Sequence, residues 1–485
     1  MPQSENFTWK NDAVIKEVFL AGAIYFLITT VYSLFHYQEK FFLDGYSLIF
    51  YITNWQWFPP PAQREVVYLQ QILPVLATIV GLKIKWVMIA YILNVYLLYF
   101  LLFTSMVVML KDPLSGIFLL LLHYKGDPYN YFMMVEELLP GCCMAIMLIS
   151  VFRNAALINN KYVFYVIVVF LLFFIVRSHP LSIVCLSGGL VLLFFTNREL
   201  FVYKRKDLLI VALVAVSLLG IKILLLNPYD STYIKSHKGF VQSALQLIQP
   251  DYFSEMVFYL FYARKVFTLT FSVILIYLFL KKKYVNIIIF ILLVSATVIL
   301  FNTQVIVTDF KLHTINFLNY DRWSLPVRFI VFATFCYMIL AEVQSLFAFR
   351  AIKLGFNFYF LLGFIQVTEA HEESISYIKQ ANRIIEKCRK NGVSKAAIKL
   401  DELDGSIPLH YRCYEDIMVL SALNNPDSCI QVVYINDDVI SQIKQSTPED
   451  ILLHEGERLY CIEEEINSHY YRLREEPYSI VRMEE

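Results

Sequence analysis

Two stretches between apolar runs concentrate the residues that could do chemistry. The first, FFLDGY, carries Asp44; the second, KGDPYNYFMMVEELLPG, carries Asp127, Glu136 and Glu137. A carboxylate can accept a proton or ligate a hard divalent cation through oxygen. At the mouth of an apolar helix bundle, such groups point to chemistry on a membrane-borne substrate. Each also has a plainer reading. Asp44-Gly45 is a common turn pair, and Asp127-Pro128 reads as a turn. Glu136 and Glu137 precede the apolar LLPGCCMAIMLIS, where the helix dipole stabilises negative charge by about 0.3–1 kcal/mol. Neighbouring residues on a helix point about 100 degrees apart, so one glutamate can face a cavity while the other caps the helix. The first loop continues through NWQWFPPPAQREVVY. Trp55 and Trp57 suit a headgroup layer, and Pro59, Pro60 and Pro61 restrict the backbone there.

The elements that must hold these groups are membrane helices. Of 485 residues, 58% are hydrophobic and only 17% charged, with a formal net charge of zero. Apolar runs lack a polar face, which argues for spanning helices over soluble ones, and they do not alternate as barrel strands would. The first run, from Val14 to about Tyr37, follows a polar start and has no small-residue cleavage site, so it reads as a retained helix. Further spans are expected over residues 67–82, 86–108, 138–152, 162–177, 181–196, 208–226, 266–280, 284–301, 325–342 and 355–368, giving about eleven crossings. The stretch from Leu114 to Tyr124 is short and is expected to be interfacial or re-entrant.

Basic clusters orient the bundle, because Lys and Arg are retained in cytoplasmic connections. Lys83 with Lys85, Arg198 with Lys204 to Lys206, and Lys281 to Lys283 all fall on one side of this scheme. That side is then cytoplasmic. The acidic loops, the segment from Pro228 to Lys265 and the C-terminus face outward.

Two domains are expected: residues 1–368 in the membrane and an extramembrane α+β domain over 369–485. HEESISYIKQANRIIEKCRKNG reads as an amphipathic helix stopped by Asn391 and Gly392. KAAIKL and CIQVVYI read as strands, YEDIMVLSALNN as a helix, and ERLYCIEEE with YYRLREEPYSIVRM as closing strands. Cys142, Cys143, Cys185 and Cys336 sit in apolar runs as small buried residues. Cys388, Cys413, Cys429 and Cys461 lie in the terminal domain, where disulfides and free thiols are equally expected, and their spacing matches no zinc site.

An acidic residue in the first outward loop (FLDGY), an acidic cluster in the next (DPYNYFMMVEELLPG), about eleven helices and a C-terminal extramembrane domain together resemble the GT-C superfamily of integral-membrane glycosyltransferases. These enzymes use polyprenyl-phosphate-linked sugars. The chain differs in having a single Asp44, with Glu39 nearby, where the family has a paired acidic motif. The resemblance implies inverting sugar transfer to a glycan, lipid or protein acceptor on the outer face of a bacterial inner membrane. Asp44 would orient or deprotonate the acceptor hydroxyl. Glu136, Glu137 or Asp127 would help bind acceptor or metal. If a divalent cation is used, Mg²⁺ or Mn²⁺, then Asp44 and Glu136 are its candidate ligands.

A lipid phosphate is already a good leaving group, so such a site needs cations to stabilise its charge more than a general acid. Arg322 and Arg328 in NYDRWSLPVRF, and Arg264 and Lys265 in FYARKVF, are candidates, each equally readable as a snorkelling interfacial anchor. Arg64 with Glu65 could position substrate or pair with one another. His123 could be a ligand or an interfacial hydrogen-bonding residue, and Arg177 to Pro180 form an outward turn. There is no phosphate loop, zinc spacing, nucleophile elbow or basic arm for nucleic acid. The rival readings are a multi-pass transporter or lipid flippase, and a surface-polysaccharide polymerase or ligase of another membrane fold. A transporter would more often carry ionisable residues deep in its spans.

Overall fold

The computed structural model describes residues 8–41, 44–59, 64–125, 138–158, 160–196, 205–224, 265–303, 325–343, 346–399, 413–435, 447–452, 458–461 and 465–483, with isolated residues at 245, 249 and 443. The described chain is mostly helical. Three of its helical stretches, Asp12–Phe35, Ile84–Met109 and Leu325–Glu342, are long and apolar enough to cross a membrane.

The first helix, α1 (Asp12–Phe35), starts where the Asn11 side chain accepts a hydrogen bond from the Ala13 amide at 2.9 Å, satisfying an amide that the first turn leaves unpaired. After α2 (Asp44–Trp55) and α3 (Tyr68–Ile79), helix α4 (Ile84–Thr104) runs antiparallel to α1. Gly22 permits that approach, since a Cβ there would lie 2.1 Å from Phe103 Cζ. Farther along the pair, Ser33 Oγ and Tyr96 Oη are 2.7 Å apart, and Lys85 lies over the Tyr37 ring at the end of α1. Helices α5 (Pro113–Lys125), α6 (Leu138–Arg153), α7 (Lys161–Val176), α8 (Leu181–Thr196), α9 (Arg205–Leu224), α10 (Lys265–Leu280), α11 (Tyr284–Thr303) and α12 (Leu325–Thr334) continue the bundle. A π-helical turn, Phe335–Ile339, extends α12.

The last bundle helix, α13 (Leu346–Lys390), has 45 residues. It lies parallel to α1: Lys353 pairs with Glu17 at 2.9 Å, Phe360 packs on Tyr25, and His371 meets Tyr32. The same helix continues without a break into the terminal domain, where Tyr377, Ala381, Ile384, Ile385 and Cys388 form a buried stripe at helical spacing. It stops at Gly392, whose φ of +68° suits glycine. The expected boundary at residue 368 therefore falls inside one rigid element.

Beyond α13, β1 (Lys395–Lys399) is the central strand of a parallel sheet ordered β2-β1-β5, with β2 at Gln431–Ile435 and β5 at Ser479–Ile480. The helix α14 (Cys413–Ala422) precedes β2, and β3 (Asp450–Leu452) pairs antiparallel with β4 (Arg458–Cys461). The expected strands at KAAIKL, CIQVVYI and ERLYC form. Of YYRLREEPYSIVRM only Ser479 and Ile480 are strand, because Tyr470 and Tyr471 point inward from a turn that packs on the bundle.

The contacts define a domain end and a far end of the bundle. Thr53 Oγ1 lies 2.6 Å from Tyr471 Oη, Asn54 Nδ2 donates to the Glu465 carbonyl, and Tyr470 Oη donates to the Thr78 carbonyl. Gly81, at φ +76°, turns α3 into α4 directly beneath His469. Gln56 donates to Thr78 as well, so residues 56 and 78 share one level. Of the span expected over residues 67–82, helix α3 takes up Tyr68–Ile79, 12 residues. Lys83 and Lys85 lie at the domain end, opposite the Lys281–Lys283 turn, where Lys283 pairs with Glu342. The stretch from Leu114 to Tyr124 lies in α5, which packs on α1, α6 and α12.

Cys142, Cys143, Cys185 and Cys336 are buried as expected, with Cys142 and Cys185 sulfurs 3.4 Å apart. Cys388 and Cys429 are reduced and buried in the terminal domain, and burial pushes the Cys388 thiol up to about 11.

Candidate functional site

At the domain end, α1 finishes in SLFHYQEK, and one turn of helix spacing sets His36 and Glu39 on the same face. His36 Nδ1 is 3.9 Å from Glu39 Oε1. Helix α13 brings His371 against them. The His36 and His371 rings meet edge to face with centroids 4.2 Å apart. Ligand atoms of His36, Glu39 and His371 all lie within 4.8 Å of one another.

Three further groups surround this cluster. The Tyr32 hydroxyl is 2.9 Å from His371 Nδ1. Lys40 is fully buried next door, with its Nζ 5.8 Å from the Tyr96 ring centroid. Burial disfavours its ammonium form and holds it well below the usual lysine range. Burial, with His36 and Lys40 adding repulsion, pushes His371 down to about 4, so its imidazole is neutral near pH 7. Tyr46 of α2 is buried and donates to the Gln38 carbonyl at 2.8 Å, fixing the loop that joins the cluster to α2.

An apolar groove of about 690 Å³ runs between α1 and α13, lined by Ile24, Ile28, Phe356, Phe360 and Phe364 among others. Glu17 and Lys353 lie at its far end. Phe364, at the other, packs on Tyr32 with centroids 5.4 Å apart, so the groove leads to the His36–Glu39–His371 cluster.

The residues singled out in the sequence fall into three groups. Asp127, Glu136, Glu137, Arg264 and Arg322 lie outside the described residues. Asp44 and Lys265 are described by backbone alone, as the first residues of α2 and α10. The others are placed in full. His123, at the end of α5, bonds through Nδ1 with Tyr25 Oη at 2.7 Å and is ringed by Phe26, Tyr96 and Tyr99. Arg328 is buried in the first turns of α12, not snorkelling. Arg64 is buried ahead of a short 3₁₀ turn. Glu65 pairs with Arg177, and the Val66 amide donates to the Arg177 carbonyl.

Two polar assemblies carried no signal in the sequence. At the far end the Asp112 carboxylate accepts from Arg153 Nη1 at 2.8 Å, Ser150 Oγ at 2.9 Å and Ser115 Oγ at 2.7 Å, while Arg153 stacks over Tyr337. This ties α5, α6 and the extension of α12 together in an apolar setting where unpaired polar groups are costly. Near the α7–α8 turn, Lys222 of α9 donates to the Ser178 carbonyl at 2.9 Å and to that of Val176. His36 and His371 likewise carry no local signature; only proximity in space distinguishes them.

Comparison with protein-family models, with curated proteins and with solved structures returned no match.

Proposed function

We propose that the chain is an integral-membrane glycosyltransferase that moves a sugar from a polyprenyl-phosphate donor to a cell-envelope acceptor. The observation that carries this reading is the position of α2. Asp44 opens a short helix wedged between the bundle and α14 of the terminal domain, a few residues from the His36–Glu39 turn. A carboxylate there could orient or deprotonate an acceptor hydroxyl. The α1–α13 groove supports a lipid donor, because it is apolar along its length and ends beside polar groups.

In this reading α1 and α4 to α13 cross the membrane, eleven in all, with α3 as a re-entrant half-span. Several of these helices are shorter than the ~20 residues of an average span and would cross with neighbouring extensions or local thinning. The Lys281–Lys283 turn, Lys161 and Lys111 at the far end favour a cytoplasmic far end and a terminal domain outside. Lys83 and Lys85 run against that rule. Mg²⁺ or Mn²⁺ held by Asp44 and Glu136 is part of this proposal.

Sugar transfer by purified protein in lipid tests it. Asp44→Asn is expected to abolish transfer while elution profile and thermal stability stay unchanged; undiminished transfer would remove Asp44 from its role. A second reading, a transporter or lipid flippase, draws support from ionisable groups within the bundle, namely Glu65 with Arg177, Asp112 with Arg153, and Lys222. Donor-dependent sugar release distinguishes the two.

A further inference from the structure

We propose that His36, Glu39 and His371 form a binding site for one divalent cation of the zinc class, joining the end of α1 to α13 where it enters the terminal domain. Two imidazoles and a carboxylate make a donor set that suits Zn²⁺, and three protein ligands leave one tetrahedral position for water or an anionic oxygen. The dimensions fit. Ligand bonds of about 2.1 Å around a tetrahedral ion put donor atoms roughly 3.4 Å apart. The three side chains already lie within 4.8 Å, so ligation needs side-chain shifts on the order of 1 Å.

The surroundings fit as well. Metal-bound histidines commonly engage a polar group through the second ring nitrogen, which fixes the ring. Tyr32 Oη does this at His371 Nδ1, making Nε2 the ligating nitrogen. His371 is 7% exposed, while the His36 and Glu39 side chains are 33% and 19% exposed, so the pocket has a buried wall and an open mouth. Lys40, buried beside the ligands, opposes a cation there, and the three donors have to outweigh it. The plainer account is a His36–Glu39 contact beside a His371 that is hydrogen-bonded by Tyr32 and meets the His36 ring edge to face. It is the outcome the experiment can return.

The test uses the full-length protein purified in detergent, stripped with a chelator and then equilibrated with Zn²⁺. Bound metal is counted by mass spectrometry and affinity read by competition with a chromogenic chelator. About one Zn²⁺ per chain is expected, with affinity lowered ~100-fold or more in the His36→Gln/His371→Gln double variant and more modestly in Glu39→Gln. Absence of stoichiometric binding, or binding unchanged in the double variant, overturns the site. Should the double variant not fold, the cobalt(II) spectrum of the wild-type protein decides. Intense visible bands of a four-coordinate ion are expected, and the weak bands of a six-coordinate one overturn it. Metal binding is read without any sugar substrate, so this site and the glycosyltransferase reading stand or fall separately.

Discussion

The Tyr32 hydroxyl lies 2.9 Å from Nδ1 of His371, a contact between the first bundle helix and the last across 339 positions of sequence. It fixes the imidazole at the point where α13 leaves the bundle. Tyr32→Phe removes that oxygen and keeps the ring that packs on Phe364. Zn²⁺ affinity is expected to fall by roughly 10- to 100-fold, with a stability loss near 1 kcal/mol. Chelator competition and thermal melts separate the two effects; equal affinity in the variant would show that the hydroxyl does not orient the ligand.

His371 gives the metal-free protein a pH signature. Its folded value of about 4 lies below the ordinary 6.5, so the unfolded chain takes up a proton first as pH falls. Its contribution to stability is complete above about pH 6.5 and is lost as pH drops through about 4. In chelator, the melting temperature of the wild-type protein is expected to fall across that window more steeply than that of His371→Gln. Parallel curves would mean the histidine is already solvated.

The Asp112 network is expected to be structural. Asp112→Ala leaves the Arg153 guanidinium without its carboxylate and should cost about 3 kcal/mol or more, read as a lowered melting temperature in detergent. Replacing both partners, as Asp112→Leu with Arg153→Met, should recover much of that loss, because two apolar groups need no partner. A single variant that melts like the wild type would show that water reaches the site.

The α1–α4 contact depends on the hydrogen at Gly22. Gly22→Ala places a methyl group against the buried Phe103 ring and should destabilise by about 1–3 kcal/mol. Phe103→Leu in the same chain is expected to restore part of the stability. If Phe103→Leu brings no recovery, the two helices separate without repacking that ring.

What the sequence by itself determined is local. Apolar runs, the Asn391-Gly392 stop and the strand-forming runs KAAIKL and CIQVVYI each reflect interactions within a few residues, and the helices and strands expected from them largely form. Asp44 is conspicuous in the sequence as one acid among aromatic residues, and the structure makes it the first residue of α2. Tertiary structure alone decided that α3 turns at Gly81 into α4 and that α5 packs in the bundle, since hydropathy reports burial and not direction. It also decided that Glu65 pairs with Arg177, that Asp112 gathers Ser115, Ser150 and Arg153, and that His36, Glu39 and His371 share one pocket. These partners come from helices far apart in the chain. Their meeting depends on which helix faces pack together, and that is fixed by the summed fit of many side chains, which no single stretch of sequence contains.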